Sequence, residues 1–175
     1  MPTRCLRTLA LGLLLGAGVT GCKSAATIPG TEIPDTPENR QVLQTLENYR
    51  IAMVQRDPAA VLATVHATYY DHAGTDDPAD DLTYDRLAAV VRQRLAQVES
   101  IRFSMDYLEV SVKDDRAVVR VWIDASFRLR ATVSDEEAPK VEGLTREKSR
   151  YARLQDFNMF ELVRDGKSWL ITRGI

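Results

Sequence analysis

Side chains able to do chemistry are few in this 175-residue sequence. His66 and His72 are its two histidines, and no third is available to complete a zinc site. Asp71 directly precedes His72, and a carboxylate beside an imidazole could pass a proton. Neighbouring residues of a strand point to opposite faces, however, so the two serve one pocket only where the strand is irregular. Asp71, Asp76, Asp77, Asp80 and Asp81 offer hard oxygen ligands but lack the alternating spacing and central glycine of a calcium-binding EF-hand loop. They read as a solvated loop ahead of a helix, and no metal or cofactor is expected. Arg128 and Arg130, with Arg146, Lys148 and Arg150, could gather into a basic ridge. Such a ridge would suit anionic headgroups or polysaccharide, or would only keep a strand edge soluble. Tyr49 falls at helical spacing between Leu46 and Met53, the position of a core tyrosine with its hydroxyl at an edge. No Gly-rich phosphate loop, serine nucleophile elbow or reactive thiol occurs.

Composition narrows the classes further. The chain carries 23 basic and 25 acidic side chains, a balance that sets up no field favouring nucleic acid. Its 45% hydrophobic content is enough to bury a core and excludes general disorder. Both cysteines, Cys5 and Cys22, fall in the first 22 residues, so the folded part can hold no disulfide and no thiolate metal site.

The N-terminus reads as an address. Arg4 and Arg7 precede an apolar run from Leu6 to Val19, too short for a permanent membrane helix and suited to a secretory signal peptide over residues 1–21. The run ends in Val19-Thr20-Gly21-Cys22, which resembles a bacterial lipobox: an aliphatic residue, a small one, glycine, then the cysteine that is lipidated and becomes the new N-terminus. By that resemblance Cys22 is a lipidation site and the membrane is a partner through its palmitate-type acyl chains. Two or three chains make a stable anchor where one is marginal. Lys23 follows, where aspartate would imply retention at the inner membrane, so Gram-negative sorting implies the outer membrane, facing the periplasm. Residues 22–36 contain Pro29 and Pro34 and no apolar periodicity, which predicts a flexible tether spanning roughly 20 Å.

The folded domain is expected over 37–175. Thr36-Pro37 is a cap-plus-proline start, and Val42, Leu46, Tyr49 and Met53 mark one face of a helix over about 37–56. Asp57-Pro58 repeats the signal for a short second helix. A brief strand is expected at Tyr69 to His72, then a third helix capped by Thr83 with Leu87, Val91, Leu95 and Val98 on its inner face. After Ser100 the period changes to two: a strand from Ile101 to Val112, a polar turn, and a strand from Ala117 to Leu129 with one buried and one mixed face. An acidic hairpin loop is expected over Ser134 to Lys140, followed by one long strand from about Gly143 to Val163. There Tyr151, Phe157 and Met159 take one parity and Phe160 and Leu162 the other, which predicts a bulge or bend. Asp165-Gly166-Lys167 makes a tight turn into a last strand carrying Trp169 and Ile171. The sum is an α+β domain, N-terminal helices packed on a curved, mainly antiparallel sheet.

This order of elements, the stretch Tyr49-Arg50-Ile51-Ala52-Met53 running to Arg56-Asp57-Pro58, and the ending Phe160-Glu161-Leu162-Val163-Arg164-Asp165-Gly166-Lys167-Ser168-Trp169 resemble the nuclear-transport-factor-2-like superfamily over about residues 38–175. The resemblance implies a cone-shaped fold shared by ketosteroid isomerases, polyketide cyclases, dehydratases and non-catalytic binding domains. In its isomerases a helix-one tyrosine and a late-strand acid donate hydrogen bonds to an oxyanion, and an aspartate on the first strand shuttles the proton. Carried over, Tyr49 takes the first role. The shuttle position falls on Ala73, with Asp71 two residues earlier on the same face. The late-strand position falls near Asn158, with Asp156 on the same face. Tyr49, Asp71 and Asp156 are therefore the candidate catalytic set, incomplete by the family pattern. Three readings stay open: a non-catalytic domain binding a small apolar ligand or a partner; an isomerase-, cyclase- or dehydratase-type enzyme; and a structural homodimer whose interface Trp122 marks.

Overall fold

The computed structural model describes residues 26–72, 77–130, 144–147 (backbone only) and 150–175. The signal segment, Cys22 and the loop over 134–140 lie outside the described residues.

Helix α1 spans Pro37–Gln55. The Thr36 hydroxyl accepts the Asn39 N–H at 3.1 Å, and the proline behind it needs no partner for a donor it lacks. Asp57 repeats the device for α2 (Pro58–Leu62), accepting the N–H groups of Ala59 and Ala60. Strands β1 (Tyr70–Asp71) and β2 (Leu82–Thr83) form a two-residue ladder, and β2 leads into α3 (Tyr84–Gln97). Thr83 stands at the N-cap of α3, but its side chain makes no capping hydrogen bond.

The main sheet contains β3 (Val98–Lys113), β4 (Arg116–Leu129), β5 (Leu144–Glu147), β6 (Tyr151–Asp165) and β7 (Ser168–Arg173). Its order is β3-β4-β6, and the far edge of β6 is shared: β5 pairs with Tyr151 to Leu154, and β7 pairs with Glu161 to Asp165. All pairings are antiparallel. Register shifts between Val98 and Ser100 and between Tyr107 and Glu109 interrupt the β3–β4 ladder, and the second leaves Leu108 exposed. Bulges of this kind add twist and bend the sheet around the helices.

Two strand expectations change. The strand expected from Gly143 to Val163 is a hairpin, because β5 runs antiparallel to β6 with Leu144 opposite Leu154. Against β4 the ladder of β6 runs unbroken from Arg116–Val163 to Arg128–Tyr151, and the irregularity of β6 lies in its pairing with β7, between Glu161 and Leu162. The parity puzzle resolves differently. Phe157 and Met159 sit on the outer face, 66% and 46% exposed, with Phe157 edge-on to Trp122 at 4.7 Å between ring centroids. The inner face of the same strand carries Ala152, Leu154, Asp156, Asn158, Phe160 and Leu162, so two polar residues point toward the cone.

The core lies between this inner face and the helices. Val42, Leu46, Val61, Val119, Val121, Phe160 and Ile171 have no measurable exposure. Thr45 crosses from α1 to donate to the Trp169 carbonyl at 2.8 Å, and Ile171 bridges the segment after α2 through its bonds with Thr64 and His66.

The expected tether is not free over its described part. Ile28 donates to the Ile33 carbonyl at 2.8 Å, Asp35 donates to the Ala26 carbonyl at 2.7 Å, and the Asn39 amide holds the Pro34 carbonyl at 2.8 Å. The resulting turn inserts Ile33, 2% exposed, into the main core. Composition hid this because one apolar residue among prolines and small residues shows no periodicity. Ile33→Ala is expected to destabilise the domain by about 2–5 kcal/mol in urea denaturation. A freely hanging segment predicts no change.

Candidate functional site

The cone is not filled. A cavity of about 360 Å³ opens between α3 and the inner sheet face, within the range of roughly 300–1,000 Å³ typical of small-molecule sites. Its apolar wall comes from Leu87, Val91 and Leu95 on α3 and from Phe103, Ile123 and Phe127 on the sheet. Tyr49, Asp71 and Asp156, which the sequence assigned to one site, all line it, as do Asn158 and the C-terminal Gly174 and Ile175.

Each polar group has a distinct environment. Tyr49 packs edge-on against Phe103 and Phe160, with centroids 5.9 and 5.7 Å away. No hydrogen bond engages its hydroxyl among the described residues, and burial pushes its pKa well above the ordinary tyrosine value. It therefore stays a neutral donor. Asp71 accepts the Gly174 N–H at 3.1 Å and stands 3.6 Å from the Arg173 guanidinium. The Asn158 amide donates to the Gly174 carbonyl at 2.8 Å, so Asp71, Gly174 and Asn158 form a continuous hydrogen-bonded rim. Gly174 has no room for a side chain: a Cβ would meet the Met159 carbonyl oxygen at 2.3 Å, and its φ is +102°. Tyr69 exchanges hydrogen bonds with both backbone groups of Ile175, and burial pushes its hydroxyl up to about 12. Asp156 is exposed at the mouth and accepts the Phe157 N–H at 2.7 Å.

The two histidines serve separate surroundings. His66 contacts the Thr68 hydroxyl and backbone N–H through Nδ1, and His72 meets Arg173 through Nε2 at 2.8 Å. Among the described residues no three histidine, cysteine, aspartate or glutamate side chains converge as metal ligands. Ala73 and Asp76 lie outside the described residues. Of the expected basic ridge, Arg128 and Arg150 share Glu99 at 3.2 and 3.9 Å, and Arg130 is exposed.

Arg94 was missed by the sequence reading. It lines the cavity from the last turn of α3, between Val91 and Leu95. The signal was present, since Arg94 follows half-buried Val90 by four residues and so lies on the flank of the inward stripe of Leu87, Val91 and Leu95.

Helices laid on the concave face of a bent antiparallel sheet, around an apolar cavity with a few polar groups at its rim, define the nuclear-transport-factor-2-like cone fold. Solved structures share it. One is a ketosteroid isomerase-like protein from Erwinia carotovora atroseptica, with a TM-score of 0.56 and 20% identity, covering 79% of this chain and 94% of that one. Another is a candidate dehydratase of the NTF2-like family from Streptomyces avermitilis, with a TM-score of 0.52 and 17% identity over 79% and 95%. A candidate scytalone dehydratase from Novosphingobium aromaticivorans matches with a TM-score of 0.60 and 14% identity over 78% and 80%. At these identities the likeness is one of fold. No family model and no curated protein matches the chain.

Proposed function

We propose that this chain is a member of the nuclear-transport-factor-2-like superfamily that works as a lipid-anchored envelope protein. Cys22 fixes it to the outer membrane on the periplasmic side, and the cone holds a small apolar ligand without transforming it. The observation that carries the binding reading is the cavity, apolar over most of its wall and open at a polar rim. The non-catalytic part rests on the incomplete set: by the family resemblance Ala73 and Asn158 stand where a proton shuttle and a second acidic donor would be, and Asp71 already accepts the Gly174 N–H beside Arg173. The enzyme reading keeps one observation in its favour: the unengaged, protonated Tyr49 hydroxyl shares the cavity with Asp71 and Asp156.

Native mass spectrometry of the full chain, purified from its own cell envelope, tests the proposal. A co-purifying small apolar molecule is the expected result and names the chemical class to assay for turnover. Conversion of that molecule, lost in Asp71→Asn, would replace binding by catalysis. An empty chain would overturn the ligand-holding role. The same spectrum reads assembly: a doubled mass that Trp122→Ala returns to a single one would put a second copy against the outer sheet face of Trp122, Phe157 and Met159, and an unchanged dimer would remove Trp122 from the interface.

A further inference from the structure

Most polar groups around the cavity are already spoken for. Asp71 holds the Gly174 N–H and faces Arg173, Asn158 holds the Gly174 carbonyl, and Asp156 holds the Phe157 N–H. Two groups are not engaged by any hydrogen bond or ion pair among the described residues: the Tyr49 hydroxyl and the Arg94 guanidinium. Both are donors, and one carries a full positive charge. Arg94 is an exposed residue whose guanidinium is nonetheless close enough to the cavity wall for desolvation to lower its pKa from the ordinary arginine value. A cation on the cavity wall with no anion beside it is placed to make charge-assisted hydrogen bonds to an anionic ligand.

We infer that the cavity takes an apolar carboxylate, its hydrocarbon part against Leu95, Phe103 and Phe127 and its carboxylate on Arg94. This rests on the ligand-holding reading above and specifies its chemistry. The carboxylates of the wall do not stand against it. Asp71 is compensated by Arg173, and Asp156 projects from the sheet wall, whereas Arg94 belongs to the helical wall. A cation in the last turn of α3 also suits the helix dipole. Arg92 and Arg94 are both exposed, but of the two it is Arg94 that lines the cavity. Arginine further suits a carboxylate because its planar fork can donate two parallel hydrogen bonds.

The test compares decanoate with decanol, equal in hydrocarbon length and different in charge. Both are titrated calorimetrically at neutral pH into the full Cys22→Ser chain, purified without detergent. Decanoate is expected to bind at least about tenfold more tightly, the scale of a charge-assisted hydrogen bond. Arg94→Gln should erase the preference by weakening decanoate while leaving decanol unchanged, and Arg94→Lys should keep part of it. Equal affinities in the parent chain, or a preference that survives Arg94→Gln, would overturn the assignment while leaving the cavity as a binding site. Failure of both probes to bind would remove the ligand-holding reading along with it. A purely structural Arg94 predicts that Arg94→Gln lowers stability and leaves the ratio of the two affinities untouched.

Discussion

Cys22→Ser is expected to abolish labelling with radioactive palmitate and to leave residues 1–21 attached, so that no lipid-modified species of mature size is found with the membranes. Serine lacks the thiol to which the acyl group is attached, so the Val19-Thr20-Gly21 sequence before it would no longer direct anchoring. The expected size of the effect follows from the anchor. Each buried methylene contributes about 0.8 kcal/mol, so losing two or three acyl chains removes all the affinity that the lipid supplies. No substitute stands in the described residues, where no helix is long and apolar enough to cross a membrane. A variant that stays in the pellet and still takes up label would place the acyl chain on another residue.

Filling the cavity is expected to have the second large effect. Val90 lines the cavity from α3 and is only half-buried, so a larger side chain there can grow into open space rather than into packed core. Val90→Trp should weaken decanol binding at least about tenfold while folding stability in urea stays within about 1 kcal/mol of the parent. The same enlargement at a fully enclosed site such as Val119 would strain the core instead. Unchanged decanol affinity with a stable fold would place the binding site somewhere other than the cone.

The fold was largely legible because its signals are local. Thr36-Pro37 and Asp57-Pro58 announce helix starts through their own hydrogen bonds, and the alternation from Ala117 to Leu129 follows from one buried face. Strand β6 was misread for a reason that also concerns function. A sequence pattern equates apolar with inward, but here Phe157 and Met159 point out while Asp156 and Asn158 point in. That inversion is the mark of a strand with a cavity on one side and an apolar outer face on the other, and only the register tells it from a bulge. Tyr49, Asp71 and Asp156 could be gathered because the family resemblance points to one position on each of three regular elements. The rim could not, since Asp71 meets Gly174 and Arg173 across a sequence distance that no local pattern spans. Arg94 was overlooked because a charge on a helix is read as solvated by default.

The docked turn at Ile33 changes what a lipid on Cys22 would mean. The docked turn begins at Ala26, whose carbonyl accepts the Asp35 N–H, so the leash from a lipid-bearing Cys22 to that turn would be about four residues. Even fully extended it measures at most about 14 Å, less than the width of the domain it restrains. A body held that close to an anchor would be restricted in its tumbling above the bilayer, and its near side would stay within reach of the headgroups at an effective concentration that free diffusion would not sustain. Molecules leaving or entering the lipid would then meet this protein by a two-dimensional search, with its address dictating its encounters as well as its location.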